Sequence, residues 1–135
     1  MSEQENVQAV QQLYEAFRQR DIPAVLNCFA EEVVLYGPAP AGVLPWGGMY
    51  RGREGVGQFF KVLGESLDIQ LFEIRDFIAQ GDKVIVLGYQ RGRAKSTGKP
   101  YETHFAIALT LRDGKVAEYR SYNDTTALAA ALRGV

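Results

Sequence analysis

Histidine and cysteine, the side chains that titrate nearest neutrality, each occur once in this 135-residue chain. His104 is the one histidine, and the one side chain whose ordinary pKa lies near neutrality, so it is a candidate acid or base. Cys28 is the one cysteine; with no cation close in sequence to activate it, it reads as a small apolar residue. One cysteine and one histidine make neither an internal disulfide nor a zinc site. Asp124 precedes Thr125-Thr126-Ala127-Leu128, where a carboxylate suits a helix N-cap, and a pocket acid at that place is compatible with capping. Tyr14, Tyr36, Trp46, Tyr50 and Tyr119 each offer an apolar body with a polar tip, fit for core packing or for ligand contact. Tyr119, Ser121 and Asn123 share one face of a strand, and Glu118, Arg120 and Tyr122 the other.

Phosphate and nucleotide motifs fail on spacing. Gly52-Arg53-Glu54-Gly55-Val56-Gly57 misses the dinucleotide fingerprint and follows no strand of a βαβ unit. The Gly98-Lys99 pair is followed by Pro100 where a P-loop needs Ser or Thr. Arg51-Gly52-Arg53 and Arg91-Gly92-Arg93 read as solvated surface, or as partners for an anionic group on a ligand.

The elements that must position these residues follow from periodicity. Val7, Val10, Leu13, Tyr14 and Phe17 mark an amphipathic helix ending near Arg20. Asp21 and Pro23 open a shorter helix with Ile22, Val25, Leu26 and Phe29 on its buried stripe. Val33 to Tyr36 reads as a strand, and Gly37 to Tyr50 as a long irregular segment of the kind that forms lids or binding walls, with Tyr36, Trp46 and Tyr50 at a pocket rim. A third helix runs from about Glu54 to Glu65 on Val56, Phe59, Phe60 and Leu63. From Ile69 the period becomes that of strands: a turn at Gln80 to Lys83, a strand from Val84 to Tyr89, a basic connection from Gly92 to Pro100, a strand from Thr103 to Leu111, a hairpin at Asp113-Gly114 and a last strand from Val116 to Tyr122. A short terminal helix closes the order α-α-β-α-β-β-β-β-α, read as one α+β domain over residues 1–135 with helices on one face of an antiparallel sheet. On the Thr103–Leu111 strand, Phe105, Ile107, Leu109 and Leu111 are the bulkier set and fill the core, which places His104, Ala106, Ala108 and Thr110 opposite. That second set is too small and apolar for a fully solvated face, so a homodimer is expected.

Composition narrows the function. Fifteen basic against sixteen acidic residues give a net charge of −1, with no net attraction for nucleic acid or an anionic membrane. No apolar run approaches the ~20 residues of a membrane span. The polar, acidic start Ser2-Glu3-Gln4-Glu5 is not a signal peptide, so a reducing, cytoplasmic setting is expected.

The helix pair, the first strand leaving through Gly37-Pro38, the hairpin Leu111-Arg112-Asp113-Gly114-Lys115-Val116 and the stretch Tyr119-Arg120-Ser121-Tyr122-Asn123-Asp124-Thr125 together resemble the NTF2-like superfamily, and within it the SnoaL-like polyketide cyclase and ketosteroid-isomerase-like group. The resemblance implies a cone: a curved sheet round the first helix, enclosing an apolar pocket, in proteins that commonly dimerise through the outer sheet face. It also implies cofactor-independent chemistry by a pocket carboxylate, with Tyr or a protonated acid polarising a carbonyl. The isomerases' base position falls on Gly37 and their second acid on Ile107; the epoxide hydrolases' acid, two places after Tyr119, falls on Ser121. The cyclases' terminal-strand aspartate is matched by Asp124, and the family's first-helix tyrosine by Tyr14. The resemblance thus implies catalysis by Asp124 and Tyr14 on a small apolar, carbonyl-containing or polyketide-like molecule; the residues themselves add His104 as a further acid–base candidate and Tyr36, Trp46, Tyr50, Tyr119 and Ser121 as ligand-binding candidates. The alternative is a binding or sensing module of the same fold. An acid facing the cavity would favour the enzyme, and a lining of aromatics the binding module.

Overall fold

The computed structural model describes residues 2–133. The N-terminal helix α1 (Glu3–Arg18) is started by a capping box, in which the Ser2 hydroxyl accepts from the Glu5 amide while the Glu5 carboxylate accepts from the Ser2 amide. Asp21 caps α2 (Ile22–Asn27), with Pro23 in the first turn. The chain then enters β1 (Phe29–Tyr36), β2 (Met49–Arg51), α3 (Gly52–Ser66), β3 (Leu67–Gln80), β4 (Lys83–Ala94), β5 (Pro100–Arg112), β6 (Lys115–Asn123) and α4 (Thr125–Leu132). All six strands form one sheet in the order β2-β1-β6-β5-β4-β3. The expected helix-then-strand order and the enclosing α+β cone are therefore present.

Four details differ from the sequence expectation. Phe29 belongs to β1 and not to the stripe of α2, because Cys28 ends that helix and Phe29 pairs at once with Val116. The long segment after Tyr36 hides the short strand β2, which pairs antiparallel with β1. Strand β4 continues to Ala94, so the basic connection shrinks to a tight turn. The meander β3–β6 is antiparallel as expected, but β1 joins β6 in parallel, since the chain between them crosses the whole sheet.

Three extra residues decide which side chains face inward. A strand alternates faces at every residue, and a bulge shifts that alternation by one. In β3 the pairing skips Gln70 and then Arg75, which keeps Ile69, Phe72, Ile74 and Phe77 packed on the core over fourteen residues. In β6 it skips Ala117, so Val116 and then Tyr119, Ser121 and Asn123 look inward. Such bulges also strengthen local twist. The strands curl round α1, whose Val10, Leu13 and Tyr14 are buried against them.

Gly88 marks a tight place in the core. It lies on the inward line of β4, and the Phe105 ring lies directly across it; a methyl group there would overlap that ring and the Glu73 carbonyl oxygen. Gly57, in the middle of α3, is different: a methyl there would meet only the Leu26 side chain at ordinary contact distance. Gly88→Ala should therefore lower stability by about 1–3 kcal/mol through overpacking. Gly57→Ala should raise it by about 0.5–1 kcal/mol through helix propensity. Urea unfolding of the two variants checks this, and equal shifts of the same sign would contradict it.

Candidate binding cavity

Between α1, α3 and the concave face of the sheet lies a cavity of about 50 Å³. Its walls are apolar and largely aromatic: Leu13 and Phe17 from α1, Phe59, Phe60 and Leu63 from α3, Phe72 and Phe105 from the sheet. Tyr14, Phe72 and Phe105 stack in succession, with ring centroids 5.7 and 4.9 Å apart. Leu128 of α4 closes one part of the wall, and Pro38 and Trp46 of the segment after β1 close another. Trp46 is held there because that segment folds back on itself: the Gly37 amide donates to Gly48, and the Gly48 amide, at φ 90°, donates to Ala39. That volume has room for about three water molecules. A wider space of about 250 Å³, the mouth, adjoins it and shares Phe17, Phe60, Leu63, Leu67 and Ile69 as a common wall. The mouth lies between the ends of α1 and α3, with Arg20, Asp68 and Lys95 on its rim.

Five polar side chains converge on the apolar cavity: Tyr14, Gln90, Tyr119, Ser121 and Asn123. The Tyr14 hydroxyl donates to the Tyr119 hydroxyl at 3.3 Å, and both tyrosines are buried, each 4% exposed. Burial raises the Tyr14 phenol well above its ordinary value, helped by the Tyr119 charge and hydrogen bond. Burial likewise pushes Tyr119 up to about 12. Both stay protonated at neutral pH. Tyr119 has spent an acceptor on Tyr14, so its own proton is available to an acceptor in the cavity. Ser121 donates to the Tyr36 carbonyl oxygen at 3.2 Å. Gln90 accepts from the Tyr101 hydroxyl at 3.0 Å through Oε1, which leaves its amide N–H groups free to donate. Among the described residues lining this cavity none is Asp, Glu or His. Nor, among the described residues, do three His, Cys, Asp or Glu side chains group as a metal site requires.

The residues singled out from sequence therefore separate. Tyr14, Trp46, Tyr119 and Ser121 come together in the cavity. Tyr36 does not: Leu35 takes the inward face of β1, and Tyr36 lies outside with the Arg120 guanidinium 3.8 Å over its ring. Tyr50 packs edge-on against Phe59 and donates to the Gly47 carbonyl, bracing the wall from behind. His104 is exposed on the outer face of β5, its ring beside Tyr89, as the strand alternation required. Asp124 is exposed and acts as the cap of α4: its Oδ1 accepts from the Ala127 amide at 3.3 Å, and its own amide donates to buried Thr103. Asp124 is not among the residues that line the cavity. Gln90 and Asn123 were missed. A usable signal existed for Gln90: it follows Val84, Val86 and Gly88 on the inward line of β4 and is the one polar side chain there.

A family model described as a SnoaL-like domain matches residues 10–119. Among solved structures the chain is similar to an NTF2-like protein from Burkholderia xenovorans LB400, at 35% identity and a TM-score of 0.88, with 98% of this chain and 99% of that one covered. It is similar to an NTF2-like protein of unknown function from Burkholderia pseudomallei K96243, at 27% identity and a TM-score of 0.85, with 98% of each chain covered. It is also similar to TerC, co-crystallised with polyporic acid, at 29% identity and a TM-score of 0.85, covering 95% of this chain and 98% of that one. No curated protein matches the chain.

The hydroxyl pair should show in stability. Tyr14→Phe and Tyr119→Phe should each cost about 1 kcal/mol, and the double variant less than their sum, since it strands no partner. The pH dependence has a definite sign. A phenol at about 12 folded and 10.0 unfolded keeps its proton longer when folded, so stability is complete below pH 10 and falls as pH rises toward 12. Denaturant midpoints across pH 7–12 check this, and the double variant should lose part of the alkaline fall. Additive single-variant losses with an unchanged alkaline limb would contradict a coupled, buried pair.

Proposed function

The chain belongs to the SnoaL-like domain family of NTF2-like proteins, and from that premise we propose that it takes up a small, apolar aromatic compound through a carbonyl oxygen. The observation that carries this reading is the Tyr14–Tyr119 pair, two protonated hydroxyls in an apolar, aromatic wall. A carbonyl oxygen near Tyr119 would accept a hydrogen bond made strong by exclusion of water. Gln90, Ser121 and Asn123 supply further polar contacts that would fix orientation, as sparse polar groups do in apolar pockets. The narrow interior requires the ligand to part Phe17 and Phe60 as it enters from the mouth. That TerC was co-crystallised with polyporic acid supports a small organic ligand on the same scaffold.

Binding without proton transfer is the function this set of groups serves best. A cofactor-independent isomerase or cyclase-type reaction is the second reading, and one observation favours it: the same hydroxyl pair would stabilise an enolate oxygen. It requires a proton acceptor, and the described cavity-lining residues include no carboxylate or imidazole. We propose further that two copies pair through the outer sheet face. There Ile85, Leu87, Ala106 and Ala108 lie half-buried beside the exposed Ile78 and Tyr122. A 15 kDa particle by light scattering at micromolar concentration would contradict that pairing.

The binding reading is tested with two probes of one shape, acetylnaphthalene and ethylnaphthalene. The ketone should bind about fivefold to tenfold tighter, the scale of one net hydrogen bond. Tyr14→Phe,Tyr119→Phe should erase that preference while keeping the hydrocarbon's affinity. Asp124→Asn should change neither affinity, since Asn also caps. Equal binding of ketone and hydrocarbon to the unaltered protein would overturn the reading.

A further inference from the structure

The cavity is neutral, but its mouth is not. Arg20, Asp68 and Lys95 stand on the rim of the wider space that adjoins it across Phe17 and Phe60. Asp68 is opposite Arg93 in the β3–β4 register, but the Arg93 guanidinium donates to the Gly98 carbonyl and among the described residues Asp68 forms no ion pair. Among the described residues neither Arg20 nor Lys95 forms an ion pair. The rim thus presents two unpaired cations and one carboxylate, a positive balance, around an apolar entrance.

The backbone of both residues is fixed by hydrogen bonds. Arg20 sits in the left-handed region, at φ 57°, where the turn after α1 is closed by its amide donating to Phe17 and the Asp21 amide donating to Ala16. Glycine ordinarily takes such a position, because a side chain there is strained. The helix terminus needs no cation from Arg20, since Arg18 already stands in the last turn. Lys95 is fixed from the other side: its amide donates to the Ser66 carbonyl at the end of α3, 2.9 Å away, which pins the β4–β5 turn against the entrance.

We infer that the mouth is an anion-recognising subsite, so that the ligand of this cavity is an apolar ring system bearing a negative group at its outer end, held by Arg20 and Lys95. This rests on the cavity-binding reading. The apolar body would lie between Phe17, Phe60, Leu63 and Ile69, with its oxygen toward Tyr119 and its anionic end at the solvent edge. Carboxylates, phenolates and acidic enols of aromatic compounds fit that description. Their neutral analogues would lose the outer contact and keep the inner ones.

Two dyes with the same aromatic body separate the outer contact from the inner: anilinonaphthalene sulfonate, which is anionic, and phenylnaphthylamine, which is neutral. The sulfonate should bind about fivefold to tenfold tighter, the scale of two half-exposed charge contacts, and the preference should shrink in high salt. In Arg20→Gln,Lys95→Gln the two dyes should bind within about twofold of each other, the neutral dye keeping its affinity and so showing that the cavity is intact. Lys61→Gln,Arg91→Gln removes the same net charge away from the mouth and should keep the preference. Equal binding of the dyes to the unaltered protein, a preference that survives loss of Arg20 and Lys95, or an equal loss in the control would overturn the subsite while leaving the cavity reading standing. Binding of neither dye would overturn both.

Discussion

Everything in this fold depends on the strict alternation of strand side chains and on the few residues that break it. A sheet wrapped round one helix must offer that helix an apolar face along its full length, and strands of nine to fourteen residues cannot do so while curving unless their register slips. The slips at Gln70, Arg75 and Ala117 supply the correction. The one at Ala117 has the greatest chemical weight. Without it, Arg120 and Tyr122 would face α1, and Tyr119 would be on the outside. With it, Tyr119 reaches across the interior to Tyr14, and the two hydroxyls satisfy each other in a wall that otherwise offers them only hydrocarbon.

The cavity is a consequence of the same geometry. A helix laid across a curved sheet fills the middle of the concave face and leaves a wedge near its C-terminal end, where α3 and the segment carrying Trp46 only partly close it. Apolar residues line that wedge, so each polar group in it acts at low dielectric, and this accounts for both phenols being raised above their ordinary value. The acids of the chain went elsewhere: Asp124 to the cap of α4, Glu3 to the Gly81 amide, Glu102 to the Tyr89 hydroxyl. What remains inside is a set of hydrogen-bond groups suited to recognising an oxygen atom, around surfaces suited to a flat ring. Among the described residues no helix is long and apolar enough to cross a membrane.

Much of this was legible before any coordinates. Helix periodicity placed α1 and α3, the Asp113-Gly114 turn placed the last hairpin, and the bulky side of β5 was rightly assigned to the interior, which also put His104 outside. Resemblance found the superfamily. What could not be read was of two physical kinds. Bulges carry no strong residue signature, so the inward face of β6 stayed undecided until Ala117 was seen to be unpaired. Capping and pocket roles ask for the same side chain, so Asp124 could be weighed but not assigned until its Oδ1 was found on the Ala127 amide. Gln90 is a different case. Its inward position follows from Val84 and Val86, and reading β4 as ending at Tyr89 is what hid it.

The central claim is that a ligand oxygen in the cavity accepts a hydrogen bond from the Tyr14–Tyr119 pair. The infrared carbonyl stretch of bound acetophenone measures this directly, because the frequency falls with each hydrogen bond donated to the oxygen. The expected result is a band below that of acetophenone in dry hexane, moving back toward the hexane value in Tyr14→Phe,Tyr119→Phe and unmoved in Asp124→Asn. A bound carbonyl that absorbs at the hexane frequency, or whose shift is untouched by loss of both hydroxyls, would contradict it.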